Sequence, residues 1–234
     1  MNRPRTTLGI VTALEMERRW IGTTNDAVVV EVGGMGRVRA EAAAARLLNR
    51  GASELVSWGI AGGLDPSLEP GTVVVPEVVI DTGGGCLQTD EGWRNHLLTE
   101  IGHGVPTSTG PILHAEDVVT TPARKRQLHD RWHAVAVDME SAGVGRVAED
   151  AGVPWLVVRA VADAADHELP RSVAKVSDGG GRLRIAAVLE LVFRPRLWPA
   201  LIALGRANAA AGRSMRRVWT VAGPDLALHG KNRR

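Results

Sequence analysis

Tyrosine is absent from this chain, phenylalanine and cysteine occur once each, and the longest apolar runs are short. A lone thiol, Cys86, forms no internal disulfide, which fits a reducing compartment such as the cytoplasm. A membrane span needs roughly 18 nearly uncharged apolar residues, and Arg194 and Arg196 interrupt the best late candidate. The first apolar run meets Glu15 and Glu17, so it reads as a strand and not as a leader. Seven tryptophans make up nearly all of the aromatic inventory, which argues against a platform that stacks single-stranded nucleic acid. Nucleic acid is therefore not an expected partner. A P-loop lysine motif and a nucleophile-elbow serine are also missing. Gly33-Gly34-Met35-Gly36-Arg37-Val38-Arg39 carries part of a dinucleotide fingerprint, but Arg39 stands at its third glycine position.

What is present suits one large domain. The chain has 234 residues, of which 44% are hydrophobic and 23% charged, enough for an ordinary core. Its net charge of +2 hides a division: residues 1–170 are acidic overall, and residues 171–234 are strongly basic. An acidic body with a basic tail points to two jobs, or to one job beside an anionic surface.

The body alternates apolar runs with helix-like segments. Strands are predicted at residues 8–12, 27–32, 55–58, 134–137 and 155–161, with helices at 14–20, 38–48 and 140–150. Residues 72–75 and 78–80, separated by Pro76, read as a bent or edge strand pair. Strands that are apolar on both faces and alternate with helices give an α/β class. The expected architecture has three layers, with a twisted, mostly parallel central sheet flanked by helices. Residues 170–181 read as a loop. Two helical segments follow: one with Ile185, Val188, Leu189 and Val192 on a stripe, and one from Leu197 to Arg217. The latter has a basic side of Arg206, Arg213, Arg216 and Arg217. Residues 1–170 are thus the core and 171–234 a basic helical extension, either part of the same domain or membrane-facing, with Trp198 and Trp219 on its apolar side.

His129 and His133 stand at the spacing of one helix face, but the position after His129 is Asp130 and no third ligand is apparent, so no metal is expected. The unusual residues instead gather where strands end. Glu15 and Glu17 follow the first strand, Gly34 and Gly36 the second, and Gly59-Ile60-Ala61-Gly62-Gly63 the third. Asp138, Met139 and Glu140 follow the strand at 134, and Asp163 and Asp166 the strand at 155. The carboxyl ends of parallel strands form a ligand crevice, so these segments predict a site. Carboxylates among small loops, with no nucleophile and no cofactor loop, suit cleavage of a glycosidic bond. There an oxocarbenium-like centre develops and the leaving group needs a proton.

These residues resemble a family. Leu8-Gly9-Ile10-Val11-Thr12-Ala13-Leu14-Glu15-Met16-Glu17 is similar to the opening of the methylthioadenosine/S-adenosylhomocysteine nucleosidases. So are Gly59-Ile60-Ala61-Gly62-Gly63-Leu64-Asp65-Pro66, Ala136-Val137-Asp138-Met139-Glu140-Ser141-Ala142 and the run from Val157 to Asp166. The wider group is the nucleoside phosphorylase/nucleosidase superfamily. Within it, the Pro/Leu/Arg-rich tail from Arg194 to Arg213 and the glycines at 83–85 resemble the hopanoid-associated phosphorylases.

The resemblance implies a purine leaving group that takes a proton from Asp163, with the ribose hydroxyls on Glu140 and Met139 beneath the sugar. It implies Glu17 as the acid that activates water. Val118 and Val119 line the base where an aromatic often stacks, and Ile60 and Gly62 belong to the substrate loop. For phosphate as acceptor, Gly34, Gly36 and Arg37 at a helix start offer an anion seat. The hopanoid likeness implies phosphorolytic release of adenine from adenosylhopane, with inorganic phosphate as co-substrate and no other cofactor. Hydrolysis of methylthioadenosine or S-adenosylhomocysteine is the alternative, and a non-catalytic nucleoside- or lipid-binding module the second. Implied partners are a small nucleoside, free or lipid-linked, a second copy of the chain in a homo-oligomer, and an anionic membrane touched peripherally at the inner face.

Overall fold

Apolar, β-branched runs supply the strands of a sheet whose two faces are both covered. The structure, a computed structural model, describes residues 7–83, 85–169 and 198–228. In chain order the elements are β1 (Leu8–Thr12), α1 (Glu15–Arg18), β2 (Val28–Val32), α2 (Arg37–Asn49), β3 (Glu54–Gly63), β4 (Val73–Val74), β5 (Val78–Asp81) and β6 (Cys86–Gln88). Then come α3 (Glu91–Ile101), β7 (Thr107–Ser108), β8 (Ile112–His114), α4 (Pro122–Trp132), β9 (Ala136–Asp138), α5 (Ser141–Ala151), β10 (Trp155–Asp163) and α6 (Trp198–Ala222). They form one ten-stranded, mostly parallel sheet with helices on both sides, the expected three-layer α/β architecture.

β3 is the hinge of this sheet. Along most of its length it lies parallel to β1 and β10, and at Gly62 and Gly63 it pairs antiparallel with β9. One arm continues through β4 and β7, the other through β8, β5 and β6. The two segments flanking Pro76 are therefore not paired with each other. β4 joins β10 and β7, β5 joins β6 and β8, and the chain passes from one arm to the other at Pro76. Proline has no N–H to give to a ladder, so it suits this crossing point.

Strand alternation sorts the core. Leu156, Val158 and Ala160 of β10 face one apolar cluster with α3 and α6, whereas Val157 and Val161 face another with α2 and α5. On the second side Ala40, Ala43, Ala44, Ala142 and Ala148 are small enough for two helices to lie close. Gly143 sits at their crossing: a Cβ there would stand 2.6 Å from the Arg37 carbonyl oxygen. This contact brings the start of α2 against the start of α5.

On the first side α6 buries Ala207, Ala211, Met215, Val218, Trp219 and Ala222. Trp219 meets Trp58 edge-on, with ring centroids 6.1 Å apart and planes at 84°. Its indole also fills the space where a Gly22 side chain would be, and Trp20 does the same at Gly212. Trp219 therefore belongs to the core and not to a membrane-facing stripe, because the small residues along α6 let that side close on the sheet. The arginines expected on its polar side, Arg206, Arg213, Arg216 and Arg217, are exposed. The segment from Ile185 to Val192, the 170–181 loop and the side chain of Trp198 lie outside the described residues. Among the described residues no helix is long and apolar enough to cross a membrane.

Candidate active site

The site grows from one strand, β3, and from what its neighbours place over it. Residue 159 interrupts an otherwise apolar strand, and Arg159 is register partner to Gly59 on β3. With no side chain at Gly59, the buried guanidinium lies over the strand at that point. A Cβ at that position would lie 2.5 Å from Arg159 Nη1 and 2.4 Å from Glu17 Oε1. Arg159 Nη2 donates to Ser57 Oγ at 2.8 Å and lies 2.9 Å from Asp138 Oδ2 and 3.4 Å from Glu140 Oε2. Its Nη1 donates to the Ile60 carbonyl at 3.2 Å. Burial works against the charge of this arginine, but Asp138, Glu140 and Glu17 outweigh it and hold its pKa above the ordinary value.

Glu17 is on the single turn of α1 and reaches back to the end of β1. Its Oε2 accepts from the N–H groups of Ala13 and Leu14 at 2.8 and 2.9 Å, and Oε1 from Ile60 N–H at 3.0 Å. Burial pushes its carboxyl up, opposed by Arg159 and these N–H groups. Glu140 precedes α5, and its Oε1 accepts from Gly36 N–H at 2.9 Å. That bond depends on the close approach of α2 and α5 at Gly143. Burial is again the largest influence; Arg159 opposes it, Asp138 and Glu17 reinforce it, and the pKa of Glu140 is pushed up to about 7. Asp138 is anchored by Ser141, whose N–H and hydroxyl both donate to it.

Asp163 occupies the end of β10, where the register with β3 shifts between Val161 and Asp163. A bulge of this kind re-aims a side chain, here toward Gly62, where an added Cβ would stand 3.4 Å from Oδ1. Asp163 Oδ2 accepts from the ammonium of Lys125 on α4. Burial raises its carboxyl above the usual range, and Lys125 and, more weakly, His167 oppose that rise.

β3 thus supports Glu17, Glu140 and Arg159 at the level of Gly59 and Asp163 at the level of Gly62. Three residue steps along the strand separate the two groups, roughly 10 Å at about 3.3 Å each. The carboxylates do not all arrive as carboxyl ends of parallel strands, as the sequence led us to expect. β9 runs antiparallel to β3, so the turn carrying Met139 and Glu140 heads back toward Gly59. Ile60 and Gly62, expected in a loop after the third strand, lie within β3 itself, and both are half-buried. Met139 is half-buried beside Glu140, and Val118 and Val119 lie half-buried in the loop between β8 and α4. Val119 packs on the cluster of Leu64, Leu113, Leu128 and Val137.

Gly34 and Gly36 both have positive φ, 97° and 94°, as the loop into α2 requires. The Gly36 N–H is committed to Glu140, and Arg37 is paired with Glu41 and Asp81, each at 3.0 Å. His129 bonds the Ala134 carbonyl through Nδ1 at 2.9 Å, while His133 follows the helix in the left-handed region. Among the described residues no group of three His, Cys, Asp or Glu is placed to hold a metal. Arg159 and Lys125 were not assigned roles from sequence. The signal for Arg159 was a charge inside an apolar strand, and for Lys125 its place on the stripe of Leu128, three residues on, both buried.

Comparison with known proteins places this geometry. The chain is 30% identical over 187 residues to a 5′-methylthioadenosine/S-adenosylhomocysteine nucleosidase of Marinomonas sp., covering 70% of this chain and 80% of that protein. It is 28% identical over 209 residues to the enzyme of that name from Mycobacterium bovis, covering 69% and 82%. The fold is that of the futalosine hydrolase of Helicobacter pylori, with a TM-score of 0.67 at 18% identity over 92% of this chain and 98% of that one. A model of the phosphorylase superfamily matches residues 15–192, and the chain belongs to that superfamily.

Proposed function

We propose that this protein hydrolyses the N-glycosidic bond of an adenosine-type nucleoside of the methylthioadenosine/S-adenosylhomocysteine class. Asp163 hands a proton from its carboxyl to purine N7 while the electron pair of the C1′–N9 bond moves into the base. Glu140 accepts the ribose hydroxyls, and Glu17, beside Arg159, takes a proton from the water that attacks C1′. The products are adenine and a free sugar. The span along β3 from Gly59 to Gly62 suits a ligand with a diol at one end and a purine nitrogen at the other.

The observation that carries hydrolysis over phosphorolysis is the charge around Arg159. Its guanidinium faces Asp138, Glu140 and Glu17, so among the described residues no surplus cation waits there for phosphate. Arg37 is likewise balanced by Glu41 and Asp81. Phosphate would meet a carboxylate-rich pocket, whereas water needs one acceptor and one donor. The test is adenine release from methylthioadenosine and S-adenosylhomocysteine in phosphate-free buffer. Full activity there supports the proposal, and activity that appears only on adding phosphate overturns it.

A second reading keeps phosphorolysis of a lipid-linked adenosine. It draws on the exposed arginines of α6 and on Ile202, which is 56% exposed on the same helix. Homo-oligomerisation is part of both readings. Co-sedimentation of the full chain with anionic vesicles, compared with a variant carrying Arg213→Glu, Arg216→Glu and Arg217→Glu, tests the lipid reading. Equal sedimentation of the two removes its support.

A further inference from the structure

Helix α4 is densely charged, and one of its cations is sealed inside. Arg124 and Arg126 are exposed, whereas Lys125 between them is fully buried. A lysine ammonium has three N–H donors, and here each has an acceptor. They are Asp163 Oδ2, the Ala164 carbonyl at 2.6 Å and the His167 carbonyl at 3.3 Å. Lys125 therefore pins both the carboxyl and the backbone that follows it. The other carboxyl oxygen, Oδ1, accepts no hydrogen bond among the described residues. Isolated burial of a lysine is costly, and a structural contact at this place is made as well by an apolar side chain. The cation beside the acid calls for a reason.

We infer that Lys125 is a positioning residue for the acid: it fixes Asp163 through Oδ2, leaves Oδ1 to carry the transferred proton, and stabilises the carboxylate that the transfer creates. This rests on the role of Asp163 proposed above. In the step, the Oδ1–H bond breaks and an N7–H bond forms. Negative charge appears on the carboxyl beside an ammonium that gives up nothing. Among the described residues, the charged and titratable groups facing Asp163 are Lys125 from α4 and His167 from the segment after β10.

The two parts of this role leave opposite marks. Burial favours the protonated acid, and Lys125 opposes burial. Without the cation, Asp163 keeps its proton to higher pH, so the alkaline limb of the kcat profile moves up. The plateau falls at the same time, because the departing proton leaves an unbalanced charge. A residue that only filled space would not move the limb.

The experiment measures kcat and KM for adenine release from methylthioadenosine against pH in the full chain and in K125M and K125R. K125M is expected to lose about tenfold or more in plateau kcat, with a small change in KM and the limb displaced to higher pH. K125R, which keeps a cation, is expected to bring the limb back toward its original position. Unchanged kcat in K125M, or a lower kcat with an unmoved limb, overturns the inference. K125Q replaces K125M if the latter does not fold. Carboxyl carbon NMR of Asp163 reads the same displacement without turnover. A shifted titration in a protein that releases no adenine upholds the Lys125–Asp163 pair and overturns the proposed function instead.

Discussion

Arg159 on β10 and Gly59 on β3 are register partners, and the space a side chain at 59 would take is bordered by the Arg159 guanidinium on one side and the Glu17 carboxylate on another. Of the charged groups in the site, Glu17, Arg159, Asp138 and Glu140 gather around that space, while Asp163 and Lys125 stand apart at Gly62. Glu140 joins it through Arg159, and Ile60 supplies an N–H to Glu17 and a carbonyl to Arg159.

Gly59→Ala should therefore damage activity more than stability. The added methyl would sit 2.4 Å from Glu17 Oε1, and both partners are held too firmly to give way freely. Displacement of reacting groups by about an ångström costs on the order of a hundredfold in rate. We expect that loss in kcat/KM, with a thermal midpoint lowered by only a few degrees, about 1–2 kcal/mol. Steady-state kinetics and a melting curve on the same preparation check it.

Asp163→Asn removes the proton and keeps the shape. Turnover of methylthioadenosine should fall by about 10²–10⁴-fold, the usual worth of a general acid, with the far-ultraviolet spectrum retained. Near-normal adenine release would take Asp163 out of the mechanism.

Glu140 makes stability depend on pH in a stated direction. Its carboxyl is raised from 4.5 to about 7, so the folded chain holds a proton that the unfolded chain has released within that window. The benefit is complete below the unfolded value and is lost as pH rises through the folded one, up to about 3 kcal/mol. Glu140→Gln should flatten this part of the curve. Urea unfolding of both proteins at pH 5 and pH 8 reads the difference, and equal slopes would contradict the burial of an ionisable group there.

Trp219→Ala opens the contact with Trp58 and Gly22. Removing a buried tryptophan costs about 3–5 kcal/mol. The denaturation midpoint should fall accordingly. An unchanged midpoint would mean that α6 does not rest on the sheet in solution.

Much of this was legible in the sequence, for a physical reason. β1, β2, β3, β9 and β10 are apolar runs whose pattern survives any tertiary context, and Glu17, Glu140 and Asp163 stand at or shortly beyond the ends of β1, β9 and β10. The three-residue strands β6 and β8 carry too little pattern to announce themselves. Pairing was also hidden: nothing local says that the segments on either side of Pro76 join different arms. Arg159 needs Asp138, Glu140 and Glu17 to be buried, and those partners come from distant parts of the chain. Lys125 lies between two exposed arginines, so its burial shows only when helix phase is set from Pro122. Whether Trp219 meets the sheet or a membrane stays open in the sequence, because the face of α6 that packs is marked by alanines, which look neutral in an amphipathic helix.

The central claim is that water, not phosphate, receives the sugar. Mass spectrometry of the products from methylthioadenosine at saturating phosphate measures it directly. We expect free methylthioribose in equal amount to adenine and no sugar phosphate. A stoichiometric yield of the sugar 1-phosphate would contradict the account.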